Sequence, residues 1–149
     1  MISLCFMLVL GVISASDDPL VGKWVLNLAR SHYGGGAEVR REETFTCQMV
    51  RQVLKCTIES VRVDGRKLVG TFAAVYDGKP YPAAGIPDVD QVTLQRLNGS
   101  VADATFSFRG KPVFGYRAIR SDDGRSLTVV SVEPTSRVVR NSVIVYDRK

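Results

Sequence analysis

The stretch Gly22-Lys23-Trp24-Val25-Leu26-Asn27-Leu28 sets the only tryptophan of the chain two residues after a glycine and puts Trp24, Leu26 and Leu28 on one side of an alternating run. Successive side chains of a β-strand point to opposite faces, so this run reads as a first strand with one buried face. After it, Ala29-Arg30-Ser31-His32-Tyr33 is expected to make a helical turn, ended by Gly34-Gly35-Gly36 because glycine tolerates any backbone conformation. From Ala37 onward the pattern is β throughout, with strands expected over 38–48, 53–63, 67–76, 91–97, 101–109, 113–120, 126–133 and 138–147.

The punctuation between these runs is as informative as the runs. Asp64-Gly65, Asp77-Gly78 and Asn98-Gly99 are dipeptides that accept positive φ at both central positions of a tight hairpin turn, and Asp123-Gly124 suits a slightly longer one. Short turns join antiparallel neighbours, and a meander this long removes its costly edges by closing into an up-and-down barrel of eight to ten strands. A flattened two-sheet sandwich is the alternative. Alternation supports a half-buried wall: Ala102, Ala104, Phe106 and Phe108 share one phase, and Leu68, Gly70, Phe72, Ala74 and Tyr76 share another. Phe72, Phe106 and Phe108 are therefore expected to point inward. The segment 79–90 breaks the rhythm, because Pro80, Pro82 and Pro87 fall within eight residues and proline gives no donor to a ladder. It reads as a short edge piece followed by a structured loop at one rim, either gating the interior or covering a sheet edge.

A chain of 149 residues is one domain by size. Residues 1–16 carry no charge and hold an apolar run, Leu4 to Ile13, ahead of Ser14-Ala15-Ser16. This reads as a secretion signal cleaved near Ala15 or Ser16, leaving a barrel domain over 17–149; the run is short for a transmembrane helix, so no integral span is expected in the mature chain. The mature chain keeps the formal net charge of +5. Its basic residues are scattered among acids and apolar groups, without the stripe of a nucleic-acid surface, so no nucleic-acid partner is expected. Export, to the periplasm or outside the cell, removes Cys5 and leaves Cys47 and Cys56, an even pair in an oxidising compartment. A hairpin turning at Arg51-Gln52 sets Cys47 opposite Cys56 where opposed side chains come closest, a geometry that permits a disulfide; two buried thiols are the alternative.

The Gly22-Lys23-Trp24 start, the meander and the Arg148 near the C-terminal end resemble the calycins, the superfamily of lipocalins, fatty-acid-binding proteins and avidins. The likeness extends to poorly characterised bacterial secreted lipocalin-like proteins through Tyr76-Asp77-Gly78-Lys79-Pro80-Tyr81-Pro82 and the segment to Asp90. In that superfamily a basic residue of the last strand packs over the tryptophan, which gives Gly22, Trp24 and Arg148 the role of a structural signature. The resemblance implies a calycin-like barrel in an exported protein, and a monomer is expected. One feature departs from it: fatty-acid-binding proteins grip a carboxylate with an Arg-x-Tyr on the last strand, and here Ile144 stands two residues before Tyr146.

No catalytic constellation is legible. The single histidine, His32, rules against a triad or a multi-histidine metal site, and it is expected at the surface rather than as a haem ligand. Asp77, Asp88 and Asp90 are expected to cap turns rather than to hold calcium, and Glu42 and Glu43 fall on opposite faces of a strand. Neither an enzymatic activity nor a cofactor or metal is expected. Two classes of function remain. In one, Phe72, Tyr76, Leu94, Phe106 and Phe108, with Arg117 as a polar partner, line an interior that holds a small apolar or amphipathic molecule. In the other, the interior is filled and the barrel is a structural or protein-interaction domain of the cell envelope. A cavity of roughly 300 Å³ or more separates the two.

Overall fold

The computed structural model describes residues 18–136 and 139–149. Ten strands follow one another: β1 Gly22–Leu26, β2 Arg40–Val50, β3 Val53–Arg62, β4 Lys67–Ala74, β5 Pro80–Ala84, β6 Gln91–Arg96, β7 Val101–Phe108, β8 Lys111–Arg120, β9 Ser126–Val132 and β10 Val143–Arg148. Each pairs antiparallel with its neighbours in sequence, and β1 pairs with both β2 and β10, so the meander closes into a ring. Closure settles the choice between barrel and sandwich and leaves every strand with a partner on each side.

The hairpins are built on two kinds of turn. At Arg51-Gln52 both central residues are left-handed, with φ of 50° and 66°, which sets Val50 opposite Val53 and Cys47 opposite Cys56. The two cysteines form a disulfide with a Cα–Cα distance of 4.2 Å. The Asx-Gly turns are built differently: Asp64, Asp77 and Asn98 do not take the positive φ expected at both positions, and they share one device with the longer turn at Asp123-Gly124. In each, the Asp or Asn side chain accepts from the amide two residues on: Asp64 from Arg66, Asp77 from Lys79, Asn98 from Ser100 and Asp123 from Arg125.

Several expected boundaries shift. β1 ends at Leu26 because Asn27 caps a single 3-10 turn, Leu28–Arg30, its Oδ1 accepting from the Arg30 amide, so Leu28 is exposed instead of continuing the buried face. The turn is over by Ser31, before the three glycines. Gly34 serves packing instead: a Cβ there would lie 1.9 Å from the Arg140 carbonyl oxygen. The segment 79–90 is not an edge. β5 bridges its neighbours in a stagger, its last two residues against β4 and its first three against β6. The last strand starts at Val143, after a turn over 139–142. The proposed signal segment, residues 1–16, lies outside the described residues, as does Val138.

The strand directions give the ring two ends. The base holds the start of β1 and the hairpin turns at 51–52, 97–100 and 121–125; the mouth holds the connections 27–39 and 85–90 and the described residues 133–136 and 139–142 between β9 and β10. Trp24, Leu54, Leu94 and Leu127 are fully buried and make the lower interior solid, and Ile144 is buried towards the other end of β10. Trp24 donates its indole N–H to the Leu20 carbonyl at 3.0 Å, and the Arg148 guanidinium lies 5.3 Å from the ring centroid. The same guanidinium reaches the carbonyls of Val21 and Gly124 at 3.5 and 3.4 Å. Gly22 explains why a glycine precedes the tryptophan: its φ is +140°, and a Cβ there would stand 3.3 Å from Arg148 Nη2. Asp18, buried beneath, accepts from the Leu20 amide and the Tyr76 hydroxyl, which ties the entering chain under the barrel.

Candidate functional site

Above the solid base the interior opens into a cavity of ≈ 420 Å³ whose lining runs up to exposed Pro87 and Asp88 at the mouth. Phe45, Ile58, Phe72, Phe106 and Phe114 form much of its apolar wall. Phe72 meets Phe106 edge to face at 6.0 Å and Phe106 meets Phe114 at 4.9 Å, so the aromatic rings lean on one another along the wall and leave the space in front of them open.

The polar part of the wall is a cluster that the alternation of the sequence conceals. Arg40 and Glu43 are three apart, a spacing that puts two residues of a regular strand on opposite faces. A register shift between Arg40 and Glu42 inserts Arg41 as an extra residue in β2, and this bulge turns both Arg40 and Glu43 inward. Arg40 Nε lies 3.0 Å from Glu43 Oε2, Nη1 lies 3.4 Å from Oε1, and Nη2 donates to the Tyr116 hydroxyl at 3.3 Å. From β10, the Tyr146 hydroxyl donates to Glu43. A second ion pair, Arg62 with Glu38 at 2.6 Å, stands nearer the mouth.

Burial drives the electrostatics of this cluster. It pushes the Tyr146 phenol well above its ordinary range, with the Glu43 carboxylate acting in the same direction. Tyr116 is raised by burial against the opposing influence of Arg40. For Arg40 burial alone favours loss of the proton, and Glu43 together with Tyr116 and Tyr146 outweighs it, so the guanidinium stays charged. Tyr33, whose buried hydroxyl has no hydrogen-bond partner among the described residues, is also raised, chiefly by burial.

The residues expected from the sequence to line the interior divide. Phe72 and Phe106 line the cavity. Leu94 and Tyr76 are packed lower, Leu94 in the solid core and Tyr76 with its hydroxyl on Asp18. Phe108 is the last residue of β7, is 38 % exposed beside the Arg109-Gly110 turn, and carries the Arg109 guanidinium 5.1 Å from its ring centroid. Arg117 does not supply the polar partner: it alternates with inward Tyr116 and Ala118, and its Nε and Nη2 meet Asp103 of β7 at 2.8 and 2.9 Å with the side chain 41 % exposed. The sequence reading missed Arg40 and Glu43, and the one available signal was the pair Arg40-Arg41 ahead of Glu42-Glu43, where charge interrupts both phases of a strand at once. His32 is exposed, its backbone bridging to Val143, and Asp90 accepts from the Arg109 amide. Among the described residues no three His, Cys, Asp or Glu side chains gather where they could hold a metal, and no helix is long and apolar enough to cross a membrane.

Fold and site together define a closed, up-and-down, ten-stranded β-barrel with a solid base and an internal cavity carrying one buried ion pair. No protein-family model matches the chain, and no curated protein or solved structure is significantly similar to it.

Proposed function

We propose that this chain is an exported, calycin-like barrel that binds a small apolar or amphipathic molecule in its interior and performs no catalysis. The observation that carries the reading is the ≈ 420 Å³ cavity, large enough for a small ligand and bounded by aromatic and aliphatic side chains around a few convergent polar groups. Burial of apolar ligand surface supplies the driving force, at about 25 cal/mol per Å² removed from water. The calycin reading draws support from strand order and from the Gly22, Trp24 and Arg148 contacts at the base. Export draws support from the Cys47–Cys56 disulfide, since such bonds persist in oxidising compartments.

The test is native mass spectrometry of protein purified from its own host, joined to displacement of an environment-sensitive apolar dye. A co-purifying small molecule, or dye binding abolished by Ala104→Phe with the fold retained, is the expected result, because Ala104 lines the cavity and a ring there fills it. A protein that carries nothing and binds no dye is a structural barrel with no internal ligand.

A further inference from the structure

We propose that the cavity selects uncharged amphipathic molecules whose polar end is a hydrogen-bond acceptor, such as a ketone, ester, amide or alcohol, and discriminates against the corresponding carboxylates, with Glu43 as the residue that sets this preference. The inference rests on the reading of the barrel as a binding module and names the class of molecule it takes.

Charge balance in a largely buried wall decides the preference. Arg40 reaches the hydroxyl of Tyr116, whose ring packs against Phe106 and Phe114 of the apolar wall, and an arginine inside a barrel ordinarily suggests capture of an acid. Here its charge is already matched. Glu43 meets it through Nε at 3.0 Å and Nη1 at 3.4 Å, and the Glu43 side chain is almost wholly buried. Arg62 is matched in the same way by Glu38. Counted among the described residues of the lining, two guanidinium groups face three carboxylates, those of Glu38, Glu43 and Asp88, and there is no lysine or histidine among them. A carboxylate head group entering beside Arg40 therefore brings a second negative charge next to Glu43 with no cation to answer it, and an unmatched buried charge is far more costly than an unmatched dipole. A cationic head group gains nothing inside either, because the surplus carboxylate is Asp88, exposed at the mouth where water screens it.

A neutral acceptor meets the opposite situation. Glu43 and Tyr116 account for three of the five N–H groups of Arg40. Tyr146 gives its proton to Glu43, whereas Tyr116 accepts from Arg40 and keeps its own proton for another oxygen. The polar wall thus offers donors without offering net charge, the arrangement that orients an uncharged oxygen and lets an apolar body lie along Phe106 and Phe114. Glutamine at position 43 keeps an oxygen acceptor for Arg40 and Tyr146 and nearly the same shape, but strips the compensating charge; Arg40 then becomes the anion-binding group that it is not in the natural chain.

The experiment is a competition series with one alkyl chain bearing, in turn, an alcohol, a methyl ketone, a primary amide, a carboxylate and an amine, each displacing the apolar dye from the exported protein at neutral pH. The alcohol, ketone and amide are expected to bind at least about tenfold more tightly than the carboxylate and the amine. In Glu43→Gln the ratio of carboxylate to amide affinity should rise by about tenfold or more. The double variant Arg40→Gln/Glu43→Gln, neutral again and free of an unmatched charge, should return to the uncharged preference. A natural protein that binds the carboxylate or the amine as tightly as the amide overturns the inference and leaves the binding module standing, and this arm does not depend on any variant folding. A protein that binds no member of the series overturns the binding module itself, and the inference with it.

Discussion

Trp24→Ala is expected to be among the most damaging single truncations the barrel can suffer, and the structure lets the loss be divided. The indole has no exposed surface, and its N–H is satisfied by the Leu20 carbonyl at 3.0 Å. Truncation of a buried tryptophan costs about 3–5 kcal/mol, the larger figure applying where neighbours cannot collapse into the hole. Here they cannot collapse far, because Trp24 is paired on one side with Phe45 and on the other with Arg148 in continuous ladders. Arg148→Ala should cost much less. Its guanidinium is exposed, its carbonyl contacts at 3.4 and 3.5 Å are long, and what remains is the stacking, about 0.5–1 kcal/mol. In a double-mutant cycle the two substitutions should couple by a similar amount, about 0.5–1 kcal/mol, because Arg148→Ala has no stack left to lose once the indole is gone. Urea unfolding followed by circular dichroism measures all three values, with thermal midpoints falling by about 3–4 °C per kcal/mol in a chain of this size. A Trp24→Ala loss below about 1 kcal/mol, or strict additivity with Arg148→Ala, would refute the account of the base.

Three further outcomes are expected. Reducing Cys47–Cys56, nine residues apart in sequence, should lower stability by about 2–3 kcal/mol, read as a shift in urea midpoint with the folded spectrum retained; no shift would mean the bridge does not constrain the unfolded chain. Arg51-Gln52→Asn-Gly should stabilise by about 0.5–1 kcal/mol, since both positions hold left-handed backbone that ordinary side chains disfavour, and a loss in the same assay would count against the turn geometry. The alkaline limb follows from the phenols: burial is the first cause raising Tyr76, Tyr116 and Tyr146, with Asp18 adding to it at Tyr76 and Glu43 at Tyr146, while Arg40 opposes it at Tyr116. A phenol raised on folding holds its proton more tightly in the native state, so its contribution is complete below about pH 10 and is withdrawn as pH climbs through the folded value. Tyrosinate absorbance of these residues should therefore appear together with loss of tertiary structure, and its appearance near pH 10 in a protein still folded would contradict their burial.

Much of the architecture was legible in the chain because period-two alternation and turn chemistry are local. Asp64, Asp77, Asn98 and Asp123 announce their turns by side chains that bond two residues away, and the Arg51-Gln52 turn follows from the apolar pattern on either side of it. The two cysteines met across β2 and β3 for the same reason. What the pattern could not supply was anything set by the ring as a whole. The prolines of 79–90 argue against a regular ladder and suggested an edge, yet closure gives β5 a partner on both sides and relieves the poor pairing by a stagger. Phe108 kept the phase of Phe106 but lies at the end of β7, where the wall gives way to the Arg109-Gly110 turn.

The site was hidden by a single residue. Alternation carried inward from Phe45 reaches Glu43 correctly and then, in a regular strand, points Arg41 into the barrel and Arg40 out of it. The bulge at Arg41 reverses that order, so a reading by period assigns the interior the wrong arginine of an adjacent pair. It also has an energetic consequence. In a regular strand Arg41 would stand two residues from Glu43 on the same face, whereas the bulge gives that place to Arg40, whose Nε lies 3.0 Å from the carboxylate and matches its charge. The same insertion that defeats the sequence pattern therefore decides which arginine of the pair neutralises Glu43, and the identity of the cation in the cavity wall depends on the backbone irregularity more than on the alternation of the side chains.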